Sequence, residues 1–343
     1  MIDFSVNVTP LGIPDNIRRA MEESLSRAGW YPDDSKRNLK EVLNKKHGVP
    51  VENICVGNGA SDVIFRTVFA LRPKRALVLA PTFAEYESAL RCVDARIDYY
   101  KINHGDFQVK PDICGQIYPE TDMVFLCNPN NPTGLLISEN VLASVLERCE
   151  ATDTWLVVDE CFLEFVRQGE TCSLIGELAS RPKLIIITKM FGIAGLRLGY
   201  LLCGREGLGD MIDKYGCDWN VNCVAEAAGL EALRSPDYEK EVLHYVEKER
   251  EWLYDKLTGL ELRVVPGQAN YLLFETPENG RKTDRTDGSK SGRESLGDWL
   301  LRQGIMIRCC DDYENLDKTF YRIGINTHEA NEKLMEKIGE WLE

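Results

Sequence analysis

Short apolar runs alternate with amphipathic stretches along the first two thirds of the chain. Each run has the length of a buried strand, and the stretches between them repeat their apolar positions with a helical period. Strands and helices that alternate in this way predict βαβ units and a mostly parallel, covered sheet. The predicted strands are Asn53–Val56, Arg75–Leu79, Ile97–Lys101, Met123–Cys127, Trp155–Val158, Leu184–Thr188 and Gly199–Cys203. The predicted helices are Ser61–Leu71, Ala84–Val93, Ser138–Cys149 and Leu174–Ser180.

The last third begins with a long, highly charged helical pattern over residues 222–258. Ser235–Pro236 should divide it, because proline favours the first turn of a new helix. The polar tract 277–294 cannot bury a core and predicts a flexible surface loop. The other predicted elements are strands at Glu261–Val265, Tyr271–Glu275, Ile305–Cys309 and Thr319–Ile325, a helix at Leu296–Gln303 and a final helix from Glu329.

This pattern predicts an α/β protein. A large domain, with its mostly parallel sheet covered by helices, is joined to a smaller α+β domain. The length of 343 residues agrees with two domains, because an average domain has about 150 residues. We expect an N-terminal arm over residues 1–30, the large domain over 31–232 and the small C-terminal domain over 233–343.

The charge of the chain excludes some classes of partner. It has 41 basic and 55 acidic side chains and a net charge of −14, whereas sequence-independent nucleic-acid binding needs a basic surface. No apolar run approaches the ~20 residues that span a bilayer. The first residues also lack the basic and apolar regions of a secretory signal. We therefore expect a cytoplasmic protein that binds neither nucleic acid nor a membrane.

Cysteine is frequent, with 12 residues, but no two cysteines have the C-x-x-C spacing of zinc ribbons and redox motifs. The four histidines are also far apart in the sequence. Most cysteines lie in apolar runs, which favours small buried side chains in a reducing compartment. A cysteine nucleophile or a cysteine metal site is the alternative, and among the site residues we predict no metal ligand.

The segment GNGASD at residues 57–62 follows a predicted strand and opens a helix. Asp62 stands where the dinucleotide fingerprint G-x-G-x-x-G has its third glycine, so the fingerprint is absent. The segment still suits a phosphate, because glycines let the backbone approach closely and free N–H groups at a helix start attract anions. The alternative is a tight strand-to-helix turn without a ligand.

Three more predicted strands end in residues that can carry chemistry. NPNNPTG at residues 128–134 follows one strand, Asp159 and Glu160 end the next, and Lys189 ends a third. Open α/β sheets bind ligands at these carboxyl ends. A buried carboxylate is costly without a partner, so we expect a positive group near Asp159. The three strand ends together predict one site.

In this order and combination, the motifs resemble those of the fold-type-I pyridoxal-phosphate enzymes of the class I/II aminotransferase family. The resemblance covers nearly the whole chain. It implies that Lys189 forms the internal aldimine with pyridoxal 5′-phosphate, that Asp159 pairs with the pyridinium nitrogen, and that Asn131 hydrogen-bonds the ring hydroxyl. The residues implied for the cofactor phosphate are Gly59, Ala60, Ser61, Thr188 and Arg197. Ile186 departs from the pattern, because the family usually has serine there.

The same resemblance implies further contacts around the cofactor and the substrate. Phe83 would stack on the ring, with Tyr86 as the alternative. Tyr31 resembles the tyrosine that reaches the neighbouring subunit's cofactor phosphate, which implies a homodimer. Arg322 matches the arginine that binds the substrate's acidic group.

Two types within the family compete for this sequence. Histidinol-phosphate aminotransferases usually carry Asp-Glu-Ala-Tyr at the pyridine aspartate, whereas threonine-phosphate decarboxylases have phenylalanine at the last position, as Phe162 here. The segments 3–12, 83–86, 219–222 and 307–310 also resemble the decarboxylases. That likeness implies Asn7, Arg308 and Arg322 as substrate-binding residues.

We therefore expect a homodimeric enzyme that acts on a phosphorylated amino acid or amine, with α-decarboxylation of a threonine-phosphate-like substrate favoured. The alternative is a histidinol-phosphate type of transamination with a 2-oxo acid. A regulator that binds the cofactor without catalysis is a third, minor hypothesis.

Overall fold

A computed structural model of the protein describes residues 1–189, 192–277 and 294–343. Its strands are β1 (Ile2–Asp3), β2 (Ile54–Gly57), β3 (Arg75–Ala80), β4 (Arg96–Lys101), β5 (Met123–Cys127), β6 (Trp155–Asp159), β7 (Leu184–Lys189), β8 (Gly199–Cys203), β9 (Arg263–Val264), β10 (Tyr271–Glu275), β11 (Ile305–Met306), β12 (Arg308–Cys309) and β13 (Phe320–Gly324). Its α-helices are α1 (Asp15–Ser24), α2 (Arg37–His47), α3 (Ala60–Leu71), α4 (Glu85–Arg91), α5 (Glu139–Ala151), α6 (Gly169–Cys172), α7 (Leu208–Asp213), α8 (Cys223–Ala232), α9 (Pro236–Gly259), α10 (Leu296–Arg302) and α11 (His328–Leu342).

The central sheet has the strand order β2-β8-β7-β6-β5-β3-β4. Strands β3 to β7 pair in parallel, and β8 runs antiparallel to both β7 and β2. Strands β5, β6 and β7 are buried almost throughout, as their continuous apolar sequences require when both faces of a sheet are covered. The predicted mostly parallel, covered sheet is confirmed.

Two apolar cores lie against the two faces of this sheet. One includes residues of α3, α4 and α7, and the other includes residues of α1, α2, α5 and α8. The helix predicted at Leu174–Ser180 is instead a 3₁₀ helix over Ile175–Ser180. All the parallel strands end at the same edge, so β5, β6 and β7 bring their carboxyl ends together there.

A second sheet has the order β12-β13-β10-β9 and packs with α9, α10 and α11 around a third core. The strand predicted over Ile305–Cys309 is divided, because β11 pairs with β1 while β12 pairs with β13. Helices α8 and α9 are separated at Ser235, as predicted. Residues 278–293 of the predicted 277–294 loop lie outside the described residues. Across the described ranges, no helix has the length and apolar character needed to cross a membrane.

Candidate active site

A cavity of about 510 Å³ lies at the carboxyl ends of β5, β6 and β7. Its size is that of a cofactor or small-ligand site. Ten of the residues predicted from the sequence line it: Asn7, Gly59, Ala60, Ser61, Phe83, Asn131, Asp159, Lys189, Arg197 and Arg322. Residues separated by more than 300 positions in the chain therefore meet in one place.

Asp159, at the end of β6, is buried and receives two hydrogen bonds from neutral donors. The Tyr86 hydroxyl donates to Oδ2 over 2.6 Å, and the Cys161 backbone N–H donates to Oδ1 over 2.9 Å. Burial, with the charge of Asp159, raises the pKa of Tyr86 well above its usual value, so this hydroxyl keeps its proton and remains a donor. Both oxygens of the carboxyl group are thus hydrogen-bonded, and the positive group expected near Asp159 is Lys189, which lines the same cavity and whose pKa the charge of Asp159 affects.

Lys189 ends β7, two positions after the residue that pairs with Asp159 in the neighbouring strand. Its Nζ lies 3.9 Å from the centre of the Phe162 ring. Burial lowers the pKa of Lys189, although Cys161, Asp159 and Glu164 oppose the shift. A lower pKa increases the neutral fraction of the amine, which is the form that acts as a nucleophile or a base.

The loop between β2 and α3 forms one end of the cavity. Gly59 has φ +87°, and a Cβ added there would lie 2.7 Å from an Arg197 guanidinium nitrogen. A Cβ on Gly199 would lie 2.5 Å from the Ala60 backbone nitrogen. Because both positions are glycine, the first N–H groups of α3 and the Arg197 side chain can converge. This cradle of donors suits a phosphate.

Arg322, Asn131 and Asn7 also line the cavity. The buried Arg322 donates to Asn131 Oδ1 over 2.6 Å and to the Ser5 backbone oxygen over 2.6 Å. The first bond orients the Asn131 amide, because it fixes which end is the acceptor. Arg322 Nε and Asn7 Oδ1 are buried and have no hydrogen-bond partner among the described residues. Such atoms point to a ligand, since buried polar groups are normally hydrogen-bonded.

Comparison with known proteins identifies the family. The sequence model of the family described as Aminotransferase class I and II matches residues 1–338. The chain belongs to this family. It is an enzyme, and its cofactor is pyridoxal 5′-phosphate.

Individual members of the class I and II aminotransferase family match the chain over almost its whole length. Threonine-phosphate decarboxylase of Salmonella typhimurium is 34% identical over 98% of this chain and 90% of the relative. Histidinol-phosphate aminotransferase of Methanothermobacter thermautotrophicus is 31% identical over 99% and 88%. The crystal structure of histidinol-phosphate aminotransferase from Clostridium acetobutylicum superposes with a TM-score of 0.88 at 27% identity and covers 100% of this chain and 99% of that one.

The cavity fits the cofactor of this aminotransferase family. The Asp159 carboxyl group, held by two hydrogen bonds at the end of β6, is suited to a protonated ring nitrogen, and an amine with a lowered pKa lies in the same cavity. The glycine-lined cradle at the start of α3, with Arg197 against it, is suited to the phosphate. Acidic, basic and phosphate-binding groups are thus all present for one ligand.

Some predicted residues lie outside the lining of this cavity. Thr188 is buried on β7 next to Lys189, and successive residues of a strand face opposite sides. Tyr31 is 79% exposed and stacks on Trp219 with ring centres 4.4 Å apart. Arg308 pairs across the strands with Arg322, but its guanidinium donates to Asp312 over 2.6 and 2.8 Å. Ile186 lies in the apolar core.

Several contacts at the site were missed by sequence reasoning. Tyr86 is hydrogen-bonded to Asp159, whereas it was considered only as a stacking ring. Cys127 and Cys161 line the cavity beside Asp159. The spacing of three residues between Phe83 and Tyr86 could have suggested that both face one side of a helical turn.

Proposed function

We propose that this enzyme removes the α-carboxyl group of a phosphorylated amino acid similar to threonine phosphate. The observation that carries the proposal is the unpartnered, buried Nε of Arg322, which lies in the same cavity as Lys189 and Asp159. An amino acid brings an acidic group for this guanidinium and an α-amine for the cofactor. A fixed guanidinium also orients the substrate, because its planar fork matches a carboxylate or phosphate.

The chain's own residues would hold the cofactor at its ring nitrogen, its ring hydroxyl, its phosphate and its ring face. Asp159 would keep the ring nitrogen protonated, and Asn131 would bind the ring hydroxyl through its amide nitrogen, because Arg322 donates to its amide oxygen. Gly59, Ala60 and Ser61, with Arg197, would bind the phosphate. Phe83 would stack on the ring. Bound pyridoxal phosphate supplies an aldehyde for amines and a ring that accepts the electron pair released at the substrate Cα.

Lys189 would move the proton at the substrate Cα. In a decarboxylation, its ammonium form returns a proton to Cα after the carboxyl group has left. In a transamination, its neutral form removes the proton from Cα. Either task needs an amine whose pKa lies closer to neutrality than that of a free lysine, and burial lowers the pKa of Lys189 in that direction.

Arg322 would select between these outcomes, because the Cα bond that stands perpendicular to the ring is the one that breaks. A guanidinium that grips the carboxylate in the ring plane exposes the Cα–H bond. A guanidinium that grips a distal phosphate leaves the carboxylate free to stand out of plane. Asn7, with its unpartnered oxygen, would bind a donor group of the substrate.

Decarboxylation is supported by Phe162, which places no hydroxyl beside Lys189, and by the 34% identity to a threonine-phosphate decarboxylase. The alternative, transamination of the histidinol-phosphate type, is supported by relatives at 31% and 27% identity. We include Arg308 in the proposal as a second arginine that binds the substrate. Its guanidinium pairs with Asp312 and would have to release this carboxylate in order to bind the substrate.

We also propose that the enzyme is a homodimer in which Tyr31 reaches the partner's cofactor phosphate. Trp30 and Tyr31 are 75% and 79% exposed, and Trp219 is 46% exposed beside them. Large aromatic side chains grouped at a surface in this way are typical of an interface. Tyr31→Phe and Lys189→Ala variants mixed as subunits should recover more activity than either alone, because one mixed site then has both residues.

The division into an arm over 1–30, a large part over 31–232 and a small part over 233–343 remains part of the proposal. The third core contains Phe4 together with residues of α9, α10 and α11, which supports grouping the start of the arm with the small part, whereas Ile17 of α1 packs in a core of the large sheet.

One assay distinguishes the two reactions. The enzyme with cofactor is given O-phosphothreonine without any oxo acid, and CO₂ release is measured. It is then given histidinol phosphate with 2-oxoglutarate, and glutamate is measured. We expect CO₂ in the first assay. Glutamate in the second assay without CO₂ in the first would replace the proposal with its alternative.

A further inference from the structure

Asp62 is the acidic residue that breaks the glycine fingerprint, and it lies in the first turn of α3. Its Oδ2 accepts the Asn58 backbone N–H over 2.8 Å and the Asn220 side-chain amide over 2.9 Å. Its Oδ1 accepts Arg66 Nε over 2.9 Å. One carboxylate thus joins the turn before α3, the loop before α8 and the interior of α3.

The turn is built around this carboxylate. A Cβ on Gly57 would lie 2.5 Å from Asp62 Oδ2 and 2.7 Å from a Val63 side-chain carbon. Only glycine at position 57 therefore leaves room for the Asp62 carboxylate to lie against the turn and accept the Asn58 N–H. Because Asn58 is held directly, the backbone that leads into Gly59 has a fixed course toward the cavity.

A negative charge next to a phosphate site would repel the ligand unless a cation balances it. The Arg66 side chain is 2% exposed and pairs with Asp62 at one end and with Asp213 over 3.0 Å at the other. Asp213 also pairs with Lys36 and Lys40 over 2.9 and 3.3 Å. The charge of Asp62 is therefore compensated within the fold, and its contribution to the site is one of geometry.

The same carboxylate links the turn to the exposed aromatic pair. Asn220, which donates to Asp62, follows Trp219, and Trp219 stacks on Tyr31. The Trp219 backbone N–H also donates to Asp34 over 2.7 Å. A shift of the aromatic pair would therefore be transmitted to the turn before α3 through the two hydrogen bonds that Asp62 accepts, one from Asn220 and one from Asn58.

We propose that Asp62 is a positioning residue for the cofactor phosphate and that Asn220 couples its turn to the Tyr31–Trp219 pair. This inference rests on the assignment of Gly59, Ala60 and Ser61 as the phosphate loop in the proposed function. Asp62 touches neither the reacting atoms nor the phosphate; it fixes the backbone donors that do.

The test compares the binding of two probes, pyridoxal 5′-phosphate and pyridoxal without its phosphate, by titration of absorbance. The Asp62→Asn side chain keeps one acceptor oxygen, and an amide nitrogen replaces the other. In one orientation that nitrogen faces the donors of Asn58 and Asn220. In the other orientation it faces Arg66. We expect the affinity for pyridoxal 5′-phosphate to fall about tenfold, as the loss of one hydrogen bond to a charged group allows. The affinity for pyridoxal should stay unchanged, because only the phosphate end is disturbed.

Asn220→Ala is a milder second variant, because it removes one donor without unpairing Arg66. We expect it to lower the preference for the phosphorylated probe by about threefold, as the loss of an ordinary hydrogen bond allows. Asp210→Asn is the matched control. Asp210 pairs with Lys40 in the same charge network over 2.9 Å but contacts neither Asn58 nor Asn220, and its variant should bind both probes as the wild type does.

Two results would overturn the role of Asp62: equal affinity of wild type and Asp62→Asn for the phosphorylated probe, or an equal loss for both probes. Failure of the underlying assignment is seen separately with Ser61→Ala and Arg197→Ala. If these variants keep the wild-type preference for the phosphorylated probe, the phosphate loop itself is wrongly assigned. If Ser61→Ala and Arg197→Ala lose the preference for the phosphorylated probe while Asp62→Asn keeps it, the phosphate loop is correctly assigned and only the role of Asp62 is refuted.

Discussion

The Tyr86 hydroxyl donates a 2.6 Å hydrogen bond to Asp159 Oδ2 in a fully buried setting. Tyr86 also stacks on Phe125, with ring centres 4.9 Å apart, so its position is fixed by packing. Asp159, which we propose faces the cofactor ring, is thereby held by a side chain from α4 that is not among the residues lining the cavity. Its orientation depends on this hydrogen bond.

Tyr86→Phe should therefore weaken cofactor binding without changing the packing. The variant removes one donor from a buried carboxylate, a loss of roughly 1.5–3 kcal/mol. We expect the affinity for pyridoxal 5′-phosphate to fall at least several-fold in an absorbance titration. Tyr100→Phe is the control, because Tyr100 on the edge strand β4 makes an equally short bond to Asp112, and neither residue is among those that line the cavity. Equal affinities of Tyr86→Phe and the wild type would contradict the prediction.

Lys189→Ala should abolish the covalent attachment of the cofactor. The visible absorbance band of the attached cofactor should be lost, and borohydride should fix no cofactor to the chain. Lys183→Ala serves as a control, because Lys183 precedes β7 and pairs with Asp153. A Lys189→Ala protein that retains the band, with another lysine labelled by borohydride, would refute the assignment.

Gly59→Ala should displace Arg197, because the new Cβ would lie 2.7 Å from its guanidinium. The positive φ of +87° adds strain of about 1 kcal/mol or more for a residue with a side chain. Gly48→Ala separates the two effects: Gly48 has φ +70° but nothing within 4 Å of the added Cβ. Both variants should lose stability in thermal unfolding, and only Gly59→Ala should lose affinity for the phosphorylated cofactor.

Glu160→Gln should change how stability depends on pH. Burial raises the pKa of Glu160 to about 7, against an ordinary value of 4.5, while Ser173 and Leu174 donate hydrogen bonds to it. The folded protein then binds this proton more tightly than the unfolded chain, so stability falls as pH rises from about 4.5 to about 7. In the Glu160→Gln variant, the free energy of unfolding should decrease less over this pH range, by up to about 3 kcal/mol.

Chemical unfolding at several pH values between 4.5 and 7.5 measures that effect. Part of the pH dependence should remain, because burial also raises the pKa of Glu164 to about 7. The exposed Glu147 provides the control variant, Glu147→Gln, which should keep the wild-type profile. Identical profiles for Glu160→Gln and the wild type would exclude a buried proton at this position.

The sequence alone predicts the strands of the central sheet well, because buried parallel strands are continuous apolar runs. Met123–Cys127 and Gly199–Cys203 have the predicted bounds. It also predicts Lys189, Asp159 and Asn131 as neighbours, because carboxyl ends of parallel strands meet at one edge. It cannot predict that Arg308 is engaged by Asp312, since that choice depends on a turn that follows a two-residue strand.

The role of Tyr86 was equally hidden, because a tyrosine three positions from Phe83 fits a stacking ring and a hydrogen-bond donor equally well. Only the packing of α4 against β5 decides between them. The division of Ile305–Cys309 between two sheets also has no local signal, because no glycine or proline interrupts the run and the partner strands lie at opposite ends of the chain.

Residues 4–8 are fastened to the sheet that carries Arg322. The Gly324 N–H donates to the Phe4 oxygen over 2.8 Å, Arg322 to the Ser5 oxygen over 2.6 Å, and the Asn270 amide to the Val8 oxygen over 3.2 Å. Any displacement of that sheet during turnover would carry Asn7 with it as one rigid unit. Gly324 makes this attachment possible, because a Cβ at that position would overlap the Val6 backbone oxygen and would push the segment that carries Asn7 away from the sheet.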